Sequence, residues 1–540
     1  MIFRFCCLII TMAASSLLLA QSQNSSLPLD WFLRDPQKDS VQGMSVEKTY
    51  SLLLKDQPAR EIIVAVIDTG IDTDHEDLKD IIWVNRGEIP GNGIDDDKNG
   101  YADDVHGWNF IGGKNGNVKD DTDDLTREFI RLNKKFGNAQ NRKVGKKQES
   151  EYEEYLKIKE KFERLRDGNE QQYKFYSGIH RNMKQSIDTL KRLLKVDKLT
   201  AQDVKNFETS DPSLLFAKGF LMQLYRNAGE DADLGDYLKS VKEEVDRLFV
   251  TVNYGYNIDY DSRKIVGDNY SNVYEKYYGN NDVKGPDMHG SHVAGIIAAN
   301  RNNTIGIKGI ADHVRIMVVR ALPSSGDERD KDVANSIIYA VDNGAKIINM
   351  SFGKKFSEEK EAVDRAVKYA EQKGVLLVHA AGNEEVNLDT EKNFPSQFYL
   401  NGREAKNWLE VGATSSGMGK DFVADFSNYG KRSVSFFAPG VHIYSCEPNN
   451  AYESRDGTSM SSPCAAGVAA ILMAYFPELT ATQVRDVLIR SVRKFDHLKV
   501  NEPGGKREVE FSELSVSGGL INAYEAVRMA QEIRKQSVVK

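Results

Sequence analysis

The sequence predicts an α/β fold in which a doubly wound, mostly parallel β-sheet is flanked by helices and carries an inserted α-helical subdomain. Short apolar runs without polar alternation recur along the chain, as expected for parallel strands that are buried on both faces. Helical patterns lie between these runs, and this succession is typical of doubly wound sheets. A long stretch rich in Lys, Glu and Gln interrupts the succession and predicts the inserted subdomain.

Six apolar runs predict the strands of the main sheet. They cover residues 62–67, 314–321, 345–353, 374–383, 408–414 and 434–440. Apolar residues at helical spacing in "SEEKEAVDRAVKYAEQKG" predict a helix that Gly374 ends, and Thr480 with Gln483 forms the capping box of another. Sheets of this kind carry their chemistry at the carboxyl ends of their strands, so residues that follow these runs are the first candidates for a site.

Residues 120–255 form the predicted insertion. Its apolar residues recur in three stripes at helical spacing: Tyr152, Tyr155, Ile158, Phe162 and Leu165; Tyr176, Met183, Ile187, Leu190 and Leu194; and Tyr237, Val241, Val245 and Leu248. Such stripes predict amphipathic helices in an antiparallel hairpin or a small bundle. Two roles fit these helices: they pack on one another, or they also dock a partner protein.

Composition limits the function classes that fit this chain. The formal net charge is −8 over 540 residues, so the totals give no sign of the basic face that a nucleic-acid or anionic-membrane binder needs. Residues 1–20 combine Arg4 with an apolar run that ends in small residues, which predicts a secretory signal peptide removed near Ala20 and Gln21. A membrane anchor is the alternative, because the run is just long enough to span a bilayer. No second run of that length follows, so we expect an exported protein (periplasmic, cell-surface or extracellular) with no stable membrane span in the mature chain.

Removal of the signal peptide would leave Cys446 and Cys464 as the cysteines of the mature chain. Two thiols in an exported protein either form a disulfide or remain separately buried, and the sequence leaves both alternatives open. Two cysteines in a chain of this length do not make a disulfide scaffold.

Several polar residues stand where a predicted strand ends or a predicted helix begins. Asp68 follows a buried strand and is either a turn-forming residue or a buried carboxylate that holds a partner. Ser459 lies at or just before a helix in which Pro463 fits an early turn, so it is an ordinary N-cap or a group that uses the positive helix end. His289 and His292 lie three residues apart in "HGSH", so they form a metal pair or one of them acts as a base.

Asp68, His289 and Ser459 together have the composition of a catalytic triad. A serine hydroxyl becomes a nucleophile when an imidazole takes its proton, and the imidazole needs a carboxylate that fixes its tautomer and stabilises its cation. This hypothesis makes His289 the base and leaves His292 to helix packing.

Four motifs carry a resemblance to a known family. They are "VIDTGID" around Asp68, "HGSHVAGIIA" around His289, "AAGN" ending at Asn383 and "GTSMSSP" around Ser459. With these motifs in this order, the chain resembles the subtilisin-like serine peptidases, the subtilases of the S8 type. The resemblance covers roughly residues 45–110 and 255–535, and Ser291 stands where the family usually has Thr.

The resemblance implies a subtilisin-like fold and an exported serine endopeptidase that hydrolyses peptide bonds in a protein or peptide substrate. Asp68 would orient His289, which would act as general base and then as general acid, and Ser459 would form the acyl-enzyme. Asn383 would donate to the oxyanion, and no cofactor would be needed for the chemistry. The implied substrate-binding residues are Ser351, Phe352, Gly353 and Gly382. The alternative is a catalytically idle binding protein that uses the insertion, and an intact set of four cooperating groups argues against it.

The resulting organisation combines the signal peptide, the resemblance and the insertion. Its parts are a signal peptide (1–20), an N-terminal extension (21–44), a subtilisin-like catalytic domain (45–119 and 256–535), the helical insertion (120–255) and a tail (536–540). The interval between Asp68 and His289 is far longer than in compact members of the family, and the insertion fills it.

A second site is predicted in "GNGIDDDKNGYADDVHGWNF". Its oxygen donors follow the spacing of a Ca²⁺ loop: Asp95, Asp97, Asn99, Tyr101 (through its carbonyl) and Asp103. The last position of the pattern holds His106 where a bidentate Glu is expected, so the match is partial. The stretch is therefore either a structural calcium site or a solvated acidic turn.

Overall fold

The computed structural model describes residues 27–138, 145–285, 287–505 and 507–538. The predicted signal peptide lies outside the described residues. The chain divides into two compact units, one formed by Phe129–Tyr260 and the other by Pro28–Glu128 together with the residues from Asp261 onward. The first unit thus covers residues 129–260, whereas the insertion predicted from the sequence covers residues 120–255.

The strands are short and lie mostly in the larger unit. Their bounds are β1 Ile62–Asp68, β2 Gly107–Asn109, β3 Gly112–Gly113, β4 Gly116–Asn117, β5 Val314–Arg320, β6 Ile347–Met350, β7 Leu376–Ala380, β8 Trp408–Thr414, β9 Phe436–Pro439, β10 Ile443–Glu447, β11 Ala451–Arg455, β12 Arg493–Lys494, β13 Lys499–Asn501, β14 Glu508–Glu510 and β15 Gly519–Leu520.

The helices occur in both units. Their bounds are α1 Pro36–Asp39, α2 Val46–Thr49, α3 Asp124–Phe136, α4 Glu149–Leu194, α5 Ala201–Asn206, α6 Pro212–Ala228, α7 Leu234–Val250, α8 Arg263–Val266, α9 His289–Ala298, α10 Asp330–Asp342, α11 Lys360–Gln372, α12 Thr458–Tyr475, α13 Ala481–Arg490 and α14 Ala523–Val538.

Nine strands form the main sheet in the order β12-β15-β9-β8-β7-β6-β1-β5-β2. All its neighbours pair in parallel except β12 and β15. The six runs predicted as strands become β1, β5, β6, β7, β8 and β9, so the predicted α/β class with a mostly parallel sheet is confirmed. The sheet is buried on both faces, as the runs without alternation predict.

The sheet changes its direction of winding at β1. Strand β5 pairs with one edge of β1, and the next strand of the sheet along the chain, β6, pairs with the other edge. At such a switch point the loops that follow the two neighbouring strands diverge and leave a crevice at the carboxyl ends. Asp68 is the last residue of β1 and therefore lies at this crevice.

Both faces of the sheet are covered by helices. Ala65 and Ile67 of β1 share one buried cluster with apolar side chains of α10 and α11. The alternate side chains of β1 point to the opposite face, and α9 and α12, which carry two of the candidate residues, also contact this strand. Core packing therefore holds α9 and α12 against strand β1, which ends at Asp68.

The helical unit is built around α4, which spans 46 residues. The first two predicted stripes lie on this one helix, because Leu165 and Tyr176 are eleven residues apart, about three helical turns. Helices α6 and α7 pack against α4. Met183, Leu190 and Leu221 are fully buried in the core that α4 and α6 share.

Two further sequence predictions concern membranes and cysteines. Among the described residues, no helix combines the length and the apolar character needed to cross a bilayer. Cys446 and Cys464 are both buried and unpaired, so the alternative of two separate thiols is the one observed.

Candidate active site

The predicted site residues converge at the carboxyl ends of three neighbouring strands. Asp68 ends β1, Ser351–Gly353 directly follow β6, and Asn383 lies three residues after β7. His289 is the first residue of α9 and Ser459 is the second residue of α12. Parallel strands bring these positions together because their carboxyl ends share one edge of the sheet.

Asp68 and His289 form a direct hydrogen bond. The imidazole Nδ1 lies 2.7 Å from the Asp68 Oδ1, and the Asp68 side chain is only 1% exposed whereas that of His289 is 24% exposed. The same Oδ1 accepts the backbone N–H of Thr69 at 2.7 Å, which fixes the carboxylate. Gly290 makes the approach of the two elements feasible, since a Cβ at this position would lie 2.1 Å from the Gly70 carbonyl oxygen.

The two histidines of "HGSH" have opposite electrostatic environments. Burial alone would lower the pKa of His289, but the charge of Asp68 and its hydrogen bond outweigh burial, so this pKa is raised. Burial lowers the pKa of His292 to about 4, so this imidazole is neutral near pH 7. His292 lies in the core of α9 with its Nε2 3.1 Å from the Glu453 carbonyl oxygen. Of these two histidines, His289 is the one that is partly exposed and can exchange a proton with a substrate or a neighbouring hydroxyl, whereas His292 is fully buried.

Ser459 lies in the first turn of α12, after a residue with a backbone conformation that glycine favours. Gly457 has φ 153° and ψ 156°, and no atom crowds the position of its Cβ, so conformation rather than space requires glycine here. The Ser459 hydroxyl donates to the Ser351 carbonyl oxygen at 3.0 Å. At a helix N-terminus the free N–H groups and the helix dipole favour negative charge, so an oxyanion formed beside Ser459 would be stabilised.

Asn383 is held by its side-chain oxygen. The Asn383 Oδ1 accepts the backbone N–H of Thr458 at 2.9 Å and the Thr458 hydroxyl at 3.0 Å. The Thr458 hydroxyl oxygen in turn accepts the N–H of Gly382 at 3.1 Å. With its oxygen engaged, the amide of the exposed Asn383 side chain presents its NH₂ group as the donor.

The segment Ser351–Gly353 is tied to the same helix. The Ser351 hydroxyl donates to the Ser459 carbonyl oxygen at 2.9 Å and lies 2.8 Å from the Ser462 hydroxyl. Phe352 is buried, with its ring edge-to-face against His379 at 6.2 Å. Gly353 and Gly382 therefore belong to two stretches of backbone that the Ser459 helix holds in place.

The acidic loop after β1 is closed by its own backbone. The carboxylates of Glu88, Asp95 and Asp97 offer oxygen atoms that all lie within 4.8 Å of one another. Asp103 is not in this group; its Oδ1 accepts the N–H groups of Gly91 and Asn92, and its Oδ2 accepts that of Gly93.

The remaining two predicted ligands of the loop hold its turn. The Asn99 side-chain oxygen accepts the N–H of Tyr101 at 2.8 Å, and the Tyr101 ring is buried. Asp95 accepts the N–H groups of Asn99 and Gly100, so it closes the same turn.

Sequence reasoning missed two residues of these sites. Glu88 precedes the acidic loop, so it was not found at the end of the loop, where the pattern places its glutamate. The Thr458 hydroxyl accepts the N–H of Gly382 and donates to the Asn383 side-chain oxygen. Its position directly before Ser459 in "GTSMSSP" could have marked it as a site residue.

Comparison with known proteins agrees with this arrangement. The family model of the subtilases matches residues 59–509. The thermophilic serine proteinase of Bacillus sp. strain AK1 is 42% identical over 194 residues, which are 36% of this chain and 44% of that protein. Subtilisin DY of Bacillus licheniformis is 37% identical over 203 residues, 37% of this chain and 68% of the relative.

A third relative is the cell wall-associated protease of Bacillus subtilis strain 168, 32% identical over 285 residues, 53% of this chain and 30% of its own length. The matches thus span between 30% and 68% of the length of these relatives. Since the family model covers most of this chain, from before β1 into β14, the protein belongs to the subtilase family.

Proposed function

We propose that this subtilase is a serine endopeptidase that hydrolyses peptide bonds through an acyl-enzyme on Ser459. The observation that carries the proposal is the 2.7 Å contact between Asp68 and His289 at the switch point of the sheet. A buried carboxylate on Nδ1 leaves Nε2 of the same ring to act on a hydroxyl. The relatives, a thermophilic serine proteinase among them, support the same chemistry.

The resting contact of Ser459 suggests how the substrate starts the reaction. The single hydroxyl proton of Ser459 is directed at the Ser351 carbonyl oxygen. A substrate that adds as a strand along Ser351–Gly353 brings its own N–H groups to this segment, and one of them can take that carbonyl. The Ser459 proton is then free to turn to Nε2 of His289, so substrate binding itself would assemble the nucleophile.

Each group then has one task in acyl transfer. The Ser459 Oγ attacks the carbonyl carbon while His289 takes its proton, and Asp68 stabilises the imidazolium. The Asn383 NH₂ group and the Ser459 N–H hold the oxyanion. His289 passes the proton to the departing amine, and a water molecule repeats the sequence to release the acid and restore Ser459.

Replacement of the nucleophile tests this proposal. Ser459→Ala should reduce hydrolysis of casein by about 10⁶-fold, as loss of the catalytic serine does in subtilisin. Ser415→Ala is the matched control, because its hydroxyl donates only to carbonyl oxygens of its own loop. If Ser459→Ala and the wild type hydrolyse casein equally, Ser459 is not the nucleophile and the proposed mechanism fails. If neither hydrolyses casein, the idle binding protein becomes the better account.

We also propose that the acidic loop binds a structural Ca²⁺ ion. The donors fit this ion, because Glu88, Asp95 and Asp97 supply hard carboxylate oxygens and Ca²⁺ prefers six to eight oxygen ligands. Glu88 offers the carboxylate that the pattern lacks at His106. When bound, the ion would neutralise the mutual repulsion of these carboxylates and fix the loop that follows β1, with no part in the chemistry.

Export and docking are the remaining proposals. The composition of residues 1–20 supports secretion, and amino-terminal sequencing of the mature protein should begin at Gln21. The helical unit is proposed to dock protein substrates and so to narrow their choice. Deletion of residues 125–250 should then broaden the cleavage of unrelated proteins, whereas an unchanged cleavage pattern contradicts the docking role.

A further inference from the structure

The segment that follows Ser351–Gly353 is anchored by the first residue of α3. The Asp124 Oδ2 accepts the backbone N–H of Lys355 at 2.6 Å and that of Phe356 at 2.8 Å. These two amides lie only two and three residues beyond Gly353. A carboxylate that receives two consecutive N–H groups makes charge-assisted hydrogen bonds, which are shorter and stronger than neutral ones.

Asp124 is itself held in place. Its backbone N–H donates to the Asp327 Oδ2 at 2.7 Å, so the start of α3 is fixed to the segment before α10. Arg127, one turn further along α3, donates to the carbonyl oxygens of Asp327 and Glu328 at 3.2 and 3.0 Å. The anchor for Lys355 and Phe356 is therefore rigid and does not depend on a single contact.

A second set of bonds holds the same segment through Lys354. The buried Lys354 ammonium lies 2.7 Å from the Asp330 Oδ1 and donates to the Glu328 carbonyl oxygen at 2.8 Å. The Lys354 backbone pairs with that of Phe394 through bonds of 2.9 and 2.8 Å. The backbone after Gly353 is thus fixed both by the buried contacts of Lys354 and by Asp124.

We propose that Asp124 is a positioning residue for substrate binding, which pre-orders Ser351–Gly353 to receive an extended peptide. The inference rests on the proposed endopeptidase function. A strand that receives a substrate backbone must be extended before it binds, or binding must supply the entropy of ordering it. Asp124 begins α3 within the larger unit, so it contributes to the substrate-binding edge without touching the reacting atoms.

The test compares two substrates that differ in length. A tetrapeptide anilide lies along Ser351–Gly353, whereas a single acetylated amino-acid ester reacts at Ser459 with little contact to this segment. Asp124→Ala should raise KM for the tetrapeptide about tenfold, because the substrate must then order about one additional residue of the enzyme when it binds. The value of kcat should change less than about twofold. For the ester, both constants should remain within about twofold of the wild type, which also shows that the variant is folded.

A graded variant and a matched control accompany this test. Asp124→Asn keeps an acceptor oxygen but loses the charge, so its KM for the tetrapeptide should rise by about threefold, between wild type and Asp124→Ala. Asp211→Ala removes a comparable carboxylate, the N-cap of α6, which accepts the N–H of Ser213 in its own helix. This control should leave KM and kcat unchanged for both substrates.

The outcomes separate this inference from the proposed function. If the wild type hydrolyses both substrates and Asp124→Ala leaves the tetrapeptide KM unchanged, the positioning role is wrong and the endopeptidase proposal stands. If kcat falls equally for both substrates, Asp124 has a general structural role and the inference is also wrong. A wild-type protein that hydrolyses neither substrate would overturn both proposals.

Discussion

Replacement of Asp68 by asparagine tests the electrostatic part of the proposed mechanism. Asparagine has nearly the same shape, so it removes the negative charge beside His289 and keeps the packing of a side chain that is 1% exposed. The charge matters most when His289 carries the proton of Ser459, because an imidazolium and a carboxylate then attract each other in a partly buried site.

The size of the effect follows from the 2.7 Å contact of the Asp68 Oδ1 and His289 Nδ1. Both charges are delocalised, so their centres are about 4 Å apart, and at an effective dielectric constant of about 20 the attraction is about 4 kcal/mol. Since each 1.36 kcal/mol is tenfold in rate, Asp68→Asn should lower kcat by about 10³-fold. A wrong tautomer of His289 adds to this loss, and about 10⁴-fold is quoted for the equivalent change in another serine protease.

The pH dependence gives a second readout of the same change. The charge and hydrogen bond of Asp68 raise the pKa of His289 against the effect of burial. The base acts when it is neutral, so kcat/KM rises as pH rises through this pKa. Without the Asp68 charge the pKa of His289 falls, and the acidic limb of the profile should move to lower pH.

The assay is hydrolysis of a peptide anilide between pH 4 and pH 9. Asp74→Asn serves as control, because this carboxylate is 81% exposed and pairs with Lys284 at the surface. A loss of less than tenfold in kcat for Asp68→Asn, or an acidic limb that stays in place, would refute the electrostatic role of Asp68.

Four further predictions test other parts of the account. Asn383→Ala should lower kcat about 10²–10³-fold, as quoted for the oxyanion asparagine of subtilisin, with KM little changed in steady-state kinetics; equal kcat would exclude it from the oxyanion site. Lys331→Met removes the buried ammonium that contacts Asp268 and Glu275; it should cost about 3 kcal/mol in urea unfolding, at the lower end for a broken buried pair because Arg263 still contacts Asp268, while a neutral result would contradict the ion pairs. Burial and neighbouring carboxylates raise the pKa of Asp123 from 3.8 to about 7, so the folded protein binds an extra proton and loses stability as pH rises between these values. The stability gained by Asp123→Asn should therefore be larger at pH 8 than at pH 4.5, and the reverse order would be inconsistent with a raised pKa. Chelation should lower Tm, added Ca²⁺ should restore it, and Glu88→Gln should abolish this response; a chelation-insensitive Tm argues for a solvated turn.

Local patterns in the sequence were sufficient to predict the sheet and the convergence of the triad. The apolar run before Asp68 became β1 with the same start, and the buried strands needed no partner information, because both of their faces are apolar. Asp68, His289 and Ser459 were placed at element ends by their neighbours: the end of an apolar run, Gly290 and Pro463. Parallel topology then brings these ends to one edge.

Contacts between distant residues could not be predicted in this way. Arg263 pairs with Asp332, and Lys331 with Asp268, although more than sixty residues separate the members of each pair. In the sequence, each of these residues looks like an ordinary charged surface residue. Its burial depends on contacts that form only in the folded chain. The contact of Asp124 with Lys355 belongs to the same class, because it joins the start of α3 to a segment beyond β6 that lies more than two hundred residues later.

The continuous length of α4 was missed for a different reason. The stripes that end at Leu165 and begin at Tyr176 look separate, since residues 166–172 between them hold no apolar side chain at helical spacing and include Gly168. The helix continues through this stretch, where most side chains are exposed or half-buried. Amphipathic patterns mark the buried parts of a helix and not its ends.

Covalent labelling of the nucleophile tests the central claim most directly. A fluorophosphonate reacts with a serine hydroxyl only when a base activates it and an oxyanion site receives the phosphoryl oxygen. Peptide mass spectrometry of the labelled wild type should show one adduct, on Ser459, and His289→Ala should abolish it. An unlabelled Ser459 in the folded wild type, or equal labelling of His289→Ala, would contradict the assignment of Ser459 as an activated nucleophile.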